Sequence, residues 1–285
     1  MQRTIGVNTW VWTSPLTDES LAELAPKIAR MGFGAIELPL ENAGDWDAAR
    51  AGDLLGSLGL VPVVIGAMGP GRSLVDRAGN VPATQAYLRT CLAAARGVGA
   101  SVVAGPFYAP TGVTWRMTAG ERAEVVAQLR RNLGPLVDEA AAAGLALAVE
   151  PLNRYETSVI NTVEQGLEAL GPLFGPGLGL ALDTYHLNIE EKRPDAAIRA
   201  AAGNIAHVQV CGSDRGPVGD DHTDWPETLA ALDDAGYHGI LGLESFTGEN
   251  ATIAVAASVW RPLASSPDDL AERSLRYLTA LQGSR

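Results

Sequence analysis

Read for apolar and polar positions, the chain repeats one unit: a helix-like stretch ends at glycine and a short apolar run follows. The unit recurs as MGFGAIEL (31–38), LGLVPVVI (58–65), VGASVVAG (98–105), AGLALAVE (143–150), GPGLGLALD (175–183), AGNIAHVQV (202–210) and AGYHGILGLE (235–244). Glycine suits such a junction because the residue that ends a helix often needs a positive φ. With the opening run TIGVNTWVW (4–12), these segments make eight expected strands. Between them lie alanine-rich stretches with helical spacing, among them DESLAELAPKIARM (18–31), ATQAYLRTCLAAARGV (83–98) and AGERAEVVAQLRRNLGPLVDEAAAAG (119–144). Alternating strands and helices imply parallel pairing with right-handed crossovers, and eight such units close a barrel. The expected fold is therefore α/β, a single (β/α)8 TIM barrel domain over residues 1–285. The competing arrangement, an open doubly wound sheet, would advertise GxGxxG after its first strand, and VNTWVWTS (7–14) lacks it.

Composition narrows the function. A length of 285 residues suits one barrel, and 47% apolar with 19% charged residues supports a large core. No stretch approaches the roughly 20 apolar residues of a membrane span. The start MQRTIGVNTW lacks the basic and apolar regions of a secretory signal, so a cytoplasmic location is expected. Two cysteines, Cys91 and Cys211, indicate neither a disulfide framework nor a cysteine zinc site. A formal charge of −12 disfavours nucleic acid, and four histidines are too few for a multi-metal endonuclease barrel. Lysine occurs only at Lys27 and Lys192, which tilts the expected ligand towards an unphosphorylated small molecule.

Barrel enzymes carry their reactive groups where strands end, so polar residues that terminate apolar runs are informative. LALAVEP delivers Glu150, LGLALDTYH delivers Asp183 and His186, IAHVQV carries His207 and Gln209, and ILGLES delivers Glu244. An unpaired carboxylate there would meet a desolvation penalty of roughly several kcal/mol, which a divalent cation relieves. Alternatively, each acid pairs with an arginine or caps a helix. His207 should face the same side as Gln209, one layer deeper, as a satisfied core histidine or as a partner of the ligand. Trp115 and Phe107, with Tyr108, Trp10 and Trp12, are candidates for the apolar wall of a sugar pocket. Trp10 and Trp12 alternate on the expected first strand, so at most one should face the interior. The segments 69–84 and 247–269 are long loops and candidate walls or lids. His222 is expected in the loop after the seventh strand, and His238 at the opposite end of the barrel.

The segments VEPLNRYETSVINT (149–162), LDTYHLNIEE (182–191), GSDRG (212–216) and ASVWRPL (257–263) together resemble the D-tagatose/D-psicose (allulose) 3-epimerases of the xylose-isomerase-like barrels. The resemblance implies a metal held by Glu150, Asp183, Gln209 and Glu244, with substrate contacts at Glu156, His186 and Arg215. It also implies that Glu150 and Glu244 move the proton on opposite faces of the reacting carbon. The cation polarises the neighbouring carbonyl, which stabilises the enediolate. Mn2+ is the expected cofactor, with Mg2+ or Co2+ as alternatives, and a homo-oligomer, dimer or tetramer, is expected by analogy. The chain departs from the family where Gln209 replaces a histidine ligand and Gly212 replaces a polar residue three positions later. An amide oxygen is a harder donor than imidazole and favours Mn2+ or Mg2+. The leading expectation is C3 epimerisation of an unphosphorylated ketose. The alternatives are another enolate reaction, namely aldose–ketose isomerisation, keto-inositol dehydration or 3-keto-glycoside elimination, or a non-catalytic sugar-binding barrel.

Overall fold

The strand runs are apolar on both faces because each lies between a barrel interior and an outer layer of helices. In the computed structural model, which describes residues 2–75 and 79–284, eight strands pair in parallel in chain order and the last closes on the first. They are β1 (Ile5–Asn8), β2 (Ala35–Leu40), β3 (Val61–Gly66), β4 (Val102–Gly105), β5 (Ala146–Val149), β6 (Leu178–Asp183), β7 (Ile205–Val210) and β8 (Leu241–Leu243). Successive side chains point to opposite faces of a strand. Val63, Ile65, Ala104, Ala148 and Ala181 thus fill the interior beneath Trp10 and Ile253. Their neighbours Val64, Val103, Leu147, Val149, Leu180 and Leu182 face outward and share a core with helix residues such as Leu21, Ile28, Leu88, Leu129, Leu136 and Leu278.

Side-chain caps begin the helices. Thr17, Asn80, Thr118 and Asp224 each accept an amide at the starts of Asp18–Met31, Val81–Val98, Ala119–Ala142 and Trp225–Asp234. Each such cap stabilises by about 1 kcal/mol. Glycine ends the helix as expected at Gly32 (φ +101°) and Gly99 (φ +82°). The junction before β6 is different, because its helix stops at Leu170 and a 3-10 turn follows over Gly171–Leu173. There the need is close approach: a Cβ on Gly177 would lie 2.2 Å from the Val137 carbonyl oxygen.

β1 ends earlier than the run 4–12 suggests. The Asn8 side chain accepts from the Trp10 amide at 2.9 Å and starts a 3-10 turn, Thr9–Val11. The two tryptophans therefore do not alternate on a strand. Trp10 turns into the barrel mouth and donates to Glu41 at 2.9 Å, while Trp12 turns outward and donates to Asp268 at 2.6 Å. The segment 247–269 sends one side chain into the mouth. Its helix Ala251–Ala256 carries Ile253 onto the interior cluster, and Thr247 donates its amide to the Trp10 carbonyl at 3.0 Å. Of the other long loop, Ser73, Leu74 and Val75 are buried, and 76–78 lie outside the described residues. Among the described residues no helix is long and apolar enough to cross a membrane.

Candidate active site

Register brings the strand-ending groups to one level. Asp183 on β6 pairs with Gln209 on β7, and Gln209 pairs with Gly242 on β8. Glu150 follows β5 directly, its amide donating to the Gly105 carbonyl at 3.1 Å, and Glu244 follows β8 and donates to the Val210 carbonyl at 3.0 Å. Glu150, Asp183, Gln209 and Glu244 are all buried. Tyr108, also enclosed, fixes the end of β5: its hydroxyl donates to the Glu150 carbonyl at 2.8 Å and accepts from the Leu152 amide at 3.2 Å.

Arg215 enters this ring of acids. Its Nη1 donates to Asp183 Oδ2 at 2.5 Å and to Glu244 Oε2 at 3.0 Å. The guanidinium also lies 4.1 Å from the Tyr185 ring centre and 5.1 Å from that of Phe246. Arginine pairing is therefore realised for two of the acids, and Asp183 Oδ1 also caps the following helix by accepting from the Tyr185 amide at 2.9 Å. Glu150 is different. Its Oε1 is buried without a hydrogen-bond partner, although His186 Nε2 stands 3.4 Å away.

The segment after β5 orients His186 and Glu156. The Asn153 amide donates to His186 Nδ1 at 3.1 Å, and Asn153 Nδ2 donates to Glu156 Oε1 at 2.7 Å. Arg215 Nη2, which can only donate, stands 3.3 Å from His186 Nε2, so donors face both ring nitrogens. Burial lowers the His186 pKa further than Asp183 raises it, which keeps the ring neutral. Glu150, Asp183 and His186 offer ligand atoms within 4.8 Å of one another.

Electrostatics separate the three acids. Burial pushes Glu150 well above the usual carboxylate range, and the charges of Glu244 and Asp183 push it further. Burial likewise raises Glu244 well above that range against the pull of Arg215. Asp183 is desolvated too, but Arg215 and His186 outweigh burial and hold its carboxyl low. Three buried carboxylates thus face one guanidinium, with an orphaned oxygen on Glu150. Carboxylate and amide oxygens are the donor set of a hard divalent ion, and a positive charge is what Glu150 lacks. The residues fit such a cation.

The remaining expected contacts fall in different places. Glu156 is half-buried beside Asn153. Trp115 is half-buried against the outer core, with its amide donating to Ser158 at 2.9 Å. Phe107 is fully enclosed, its ring against Gly66 and Gly105, and belongs to the packing between strands and helices rather than to the group at the mouth. His222 is exposed and within 2.9 Å of Asn188, and His238 is exposed. His207 points inward below Gln209 and meets Glu37 Oε1 at 2.7 Å. Sequence reasoning passed over Glu37 and Asn153. Glu37 lies within AIELPL, where an acid flanked by outward apolar residues must face the barrel interior.

Comparison with known proteins agrees with the barrel fold. The family described as xylose isomerase-like TIM barrel matches residues 25–281. A Synechocystis sp. protein named "Probable ketose 3-epimerase" is 31% identical over 96% of this chain and 94% of its own length. An L-ribulose 3-epimerase of Mesorhizobium japonicum is 30% identical over 96% and 92% of the two chains. A solved structure of an L-ribulose 3-epimerase superposes with a TM-score of 0.89 at 28% identity, covering 100% of this chain and 95% of that one.

Proposed function

We propose that this chain, which belongs to the xylose isomerase-like TIM barrel family, epimerises an unphosphorylated ketose at C3 with the help of a divalent cation, Mn2+ above others. The observation that carries the reading is a pair of buried carboxylates, Glu150 and Glu244, on separate strands of one barrel mouth and both raised in pKa. Epimerisation needs one group that removes a proton and another, already protonated, that returns one from the opposite face. Two carboxylates that disfavour simultaneous ionisation supply that pair. In one half of the reaction an ionised carboxylate takes the C3 proton, and the C–H electrons move towards the carbonyl to give the enediolate. In the other, the protonated partner delivers its proton to the far face of C3, so the charge returns to its starting value.

A bound divalent cation would be held by Glu150, Asp183, Gln209 and Glu244, and would supply polarisation of the substrate carbonyl. His186, Glu156 and Arg215 would contact and orient the sugar hydroxyls. The named relatives, ketose and L-ribulose 3-epimerases, support the same reaction. The three site carboxylates also repel a phosphate, in keeping with a free sugar. Gln209 favours a second reading, aldose–ketose isomerisation on the same scaffold, because its amide is tied to Glu244 at 2.8 Å instead of presenting a histidine nitrogen.

One experiment separates the two. The Mn2+-loaded protein is incubated in D2O with D-psicose, D-fructose, D-tagatose and L-ribulose, and products are read by NMR. Deuterium at C3 with formation of the C3 epimer is the expected result. Deuterium at C1 or C2 with an aldose product would favour the second reading, and no exchange with any sugar would overturn both.

A further inference from the structure

Below the ring of acids, Glu37 occupies a place prepared for it. It lies on β2, fully buried, and its carboxylate accepts from Gln209 Nε2 at 2.9 Å and from Asn8 Nδ2 at 3.1 Å. His207 Nε2 meets its other oxygen at 2.7 Å. The room comes from β8: a Cβ on Gly242 would sit 1.6 Å from Glu37 Oε1. A buried carboxylate with three polar partners from two other strands, Asn8 on β1 and His207 and Gln209 on β7, is a fully connected polar network, which fixes orientation in a low-dielectric interior.

What that network orients is the amide of Gln209. Its Nε2 donates both to Glu37 and, at 2.8 Å, to Glu244 Oε1. An amide nitrogen has two hydrogens, and here each is directed at a carboxylate. Rotating the amide by a half-turn would set its carbonyl oxygen against the lone pairs of both acids, so the two ends cannot exchange. The carbonyl oxygen is the end left for a cation.

We propose that Glu37, seated over Gly242 and held by His207 and Asn8, is a positioning residue that locks the Gln209 amide with its carbonyl oxygen presented as a cation ligand. This inference rests on the cation site of the reading above. Glu37 touches neither substrate nor cation and acts through Gln209. It accounts for how a chain with glutamine in place of histidine completes an all-oxygen donor set of the kind hard cations take.

Mn2+ titration of the metal-stripped, full-length protein, followed by calorimetry and by the free Mn2+ electron paramagnetic resonance signal, tests it. Glu37→Gln is expected to weaken Mn2+ binding about 10- to 100-fold with an unchanged near-ultraviolet circular dichroism spectrum. In a Gln209→Ala background the same change should add less than about twofold, because its effect passes through the missing amide. Glu37→Asp, which keeps the charge but withdraws it by one methylene, should show the same loss and serves if Glu37→Gln does not fold. Unaltered Mn2+ affinity in these variants, or an equal loss in both backgrounds, would overturn the proposal. A wild-type chain that binds no Mn2+ would instead remove the cation site itself, a different and separately visible failure.

Discussion

Glu150 and Glu244 share a barrel mouth but not a direct ion-pair partner. Arg215 reaches Glu244 at 3.0 Å, whereas Glu150 Oε1 has no hydrogen-bond partner. If they form the acid–base pair, replacing either by its amide removes proton transfer with little change of shape. Glu150→Gln and Glu244→Gln are each expected to lower kcat by about 10²- to 10⁴-fold in steady-state assays of C3 epimerisation. Turnover within about tenfold of wild type in either variant would be incompatible with that role. These acids were legible in the sequence because an apolar strand that ends in a carboxylate is a poor way to bury charge. Arg215 was legible only through GSDRG. Its position between Asp183 and Glu244 depends on a loop conformation, with φ +68° at Arg215, that no periodicity encodes. Asn153 was visible inside EPLNRYE, but its part in turning the imidazole of His186 needed coordinates.

At the level of elements, the strand and helix order followed from spacing, and the exceptions follow from side chains that act locally. Asn8 ended β1 early by capping its own turn, an event that apolar alternation cannot register. Glycines that look alike in sequence also serve unlike purposes. Gly242 in β8 exists for the Glu37 carboxylate, while Gly56 in the helix Ala48–Leu58 has nothing within 4 Å of its would-be Cβ. Alanine should therefore act oppositely at the two sites. Gly242→Ala forces Glu37 aside and is expected to destabilise by about 1–3 kcal/mol, the usual range for overpacking. Gly56→Ala is expected to stabilise by roughly 0.5–1 kcal/mol through helix propensity. Urea midpoints at constant slope measure both, and a Gly242→Ala protein as stable as wild type would mean that Glu37 is not confined as described.

For the molecule as a whole, the buried acids make stability depend on pH, and the sign is fixed by their shifts. Glu150 and Glu244 rise well above the ordinary glutamate value of 4.5, so above that value the unfolded chain releases protons that the folded chain keeps. Stability of the metal-free protein then falls as pH rises from 4.5 through the raised values. Asp183 lies below its ordinary 3.8, so its contribution is complete above 3.8 and is lost only in stronger acid. His186 is lowered from 6.5, and up to that value it works in the opposite direction, adding stability as pH rises. On the proposed cation site Mn2+ would separate these effects, because a divalent ion takes carboxylates in ionised form and releases their protons. At a fixed Mn2+ concentration the difference in melting temperature with and without the ion is therefore expected to widen as pH rises above 4.5 through the raised values, reaching about 2.7 kcal/mol where the ion stands a hundredfold above its Kd. If Glu150 is a ligand, Glu150→Gln, which removes one titrating carboxyl, should flatten that widening. A Mn2+-induced shift that stays constant or shrinks with rising pH would mean that the ion does not draw on these carboxylates.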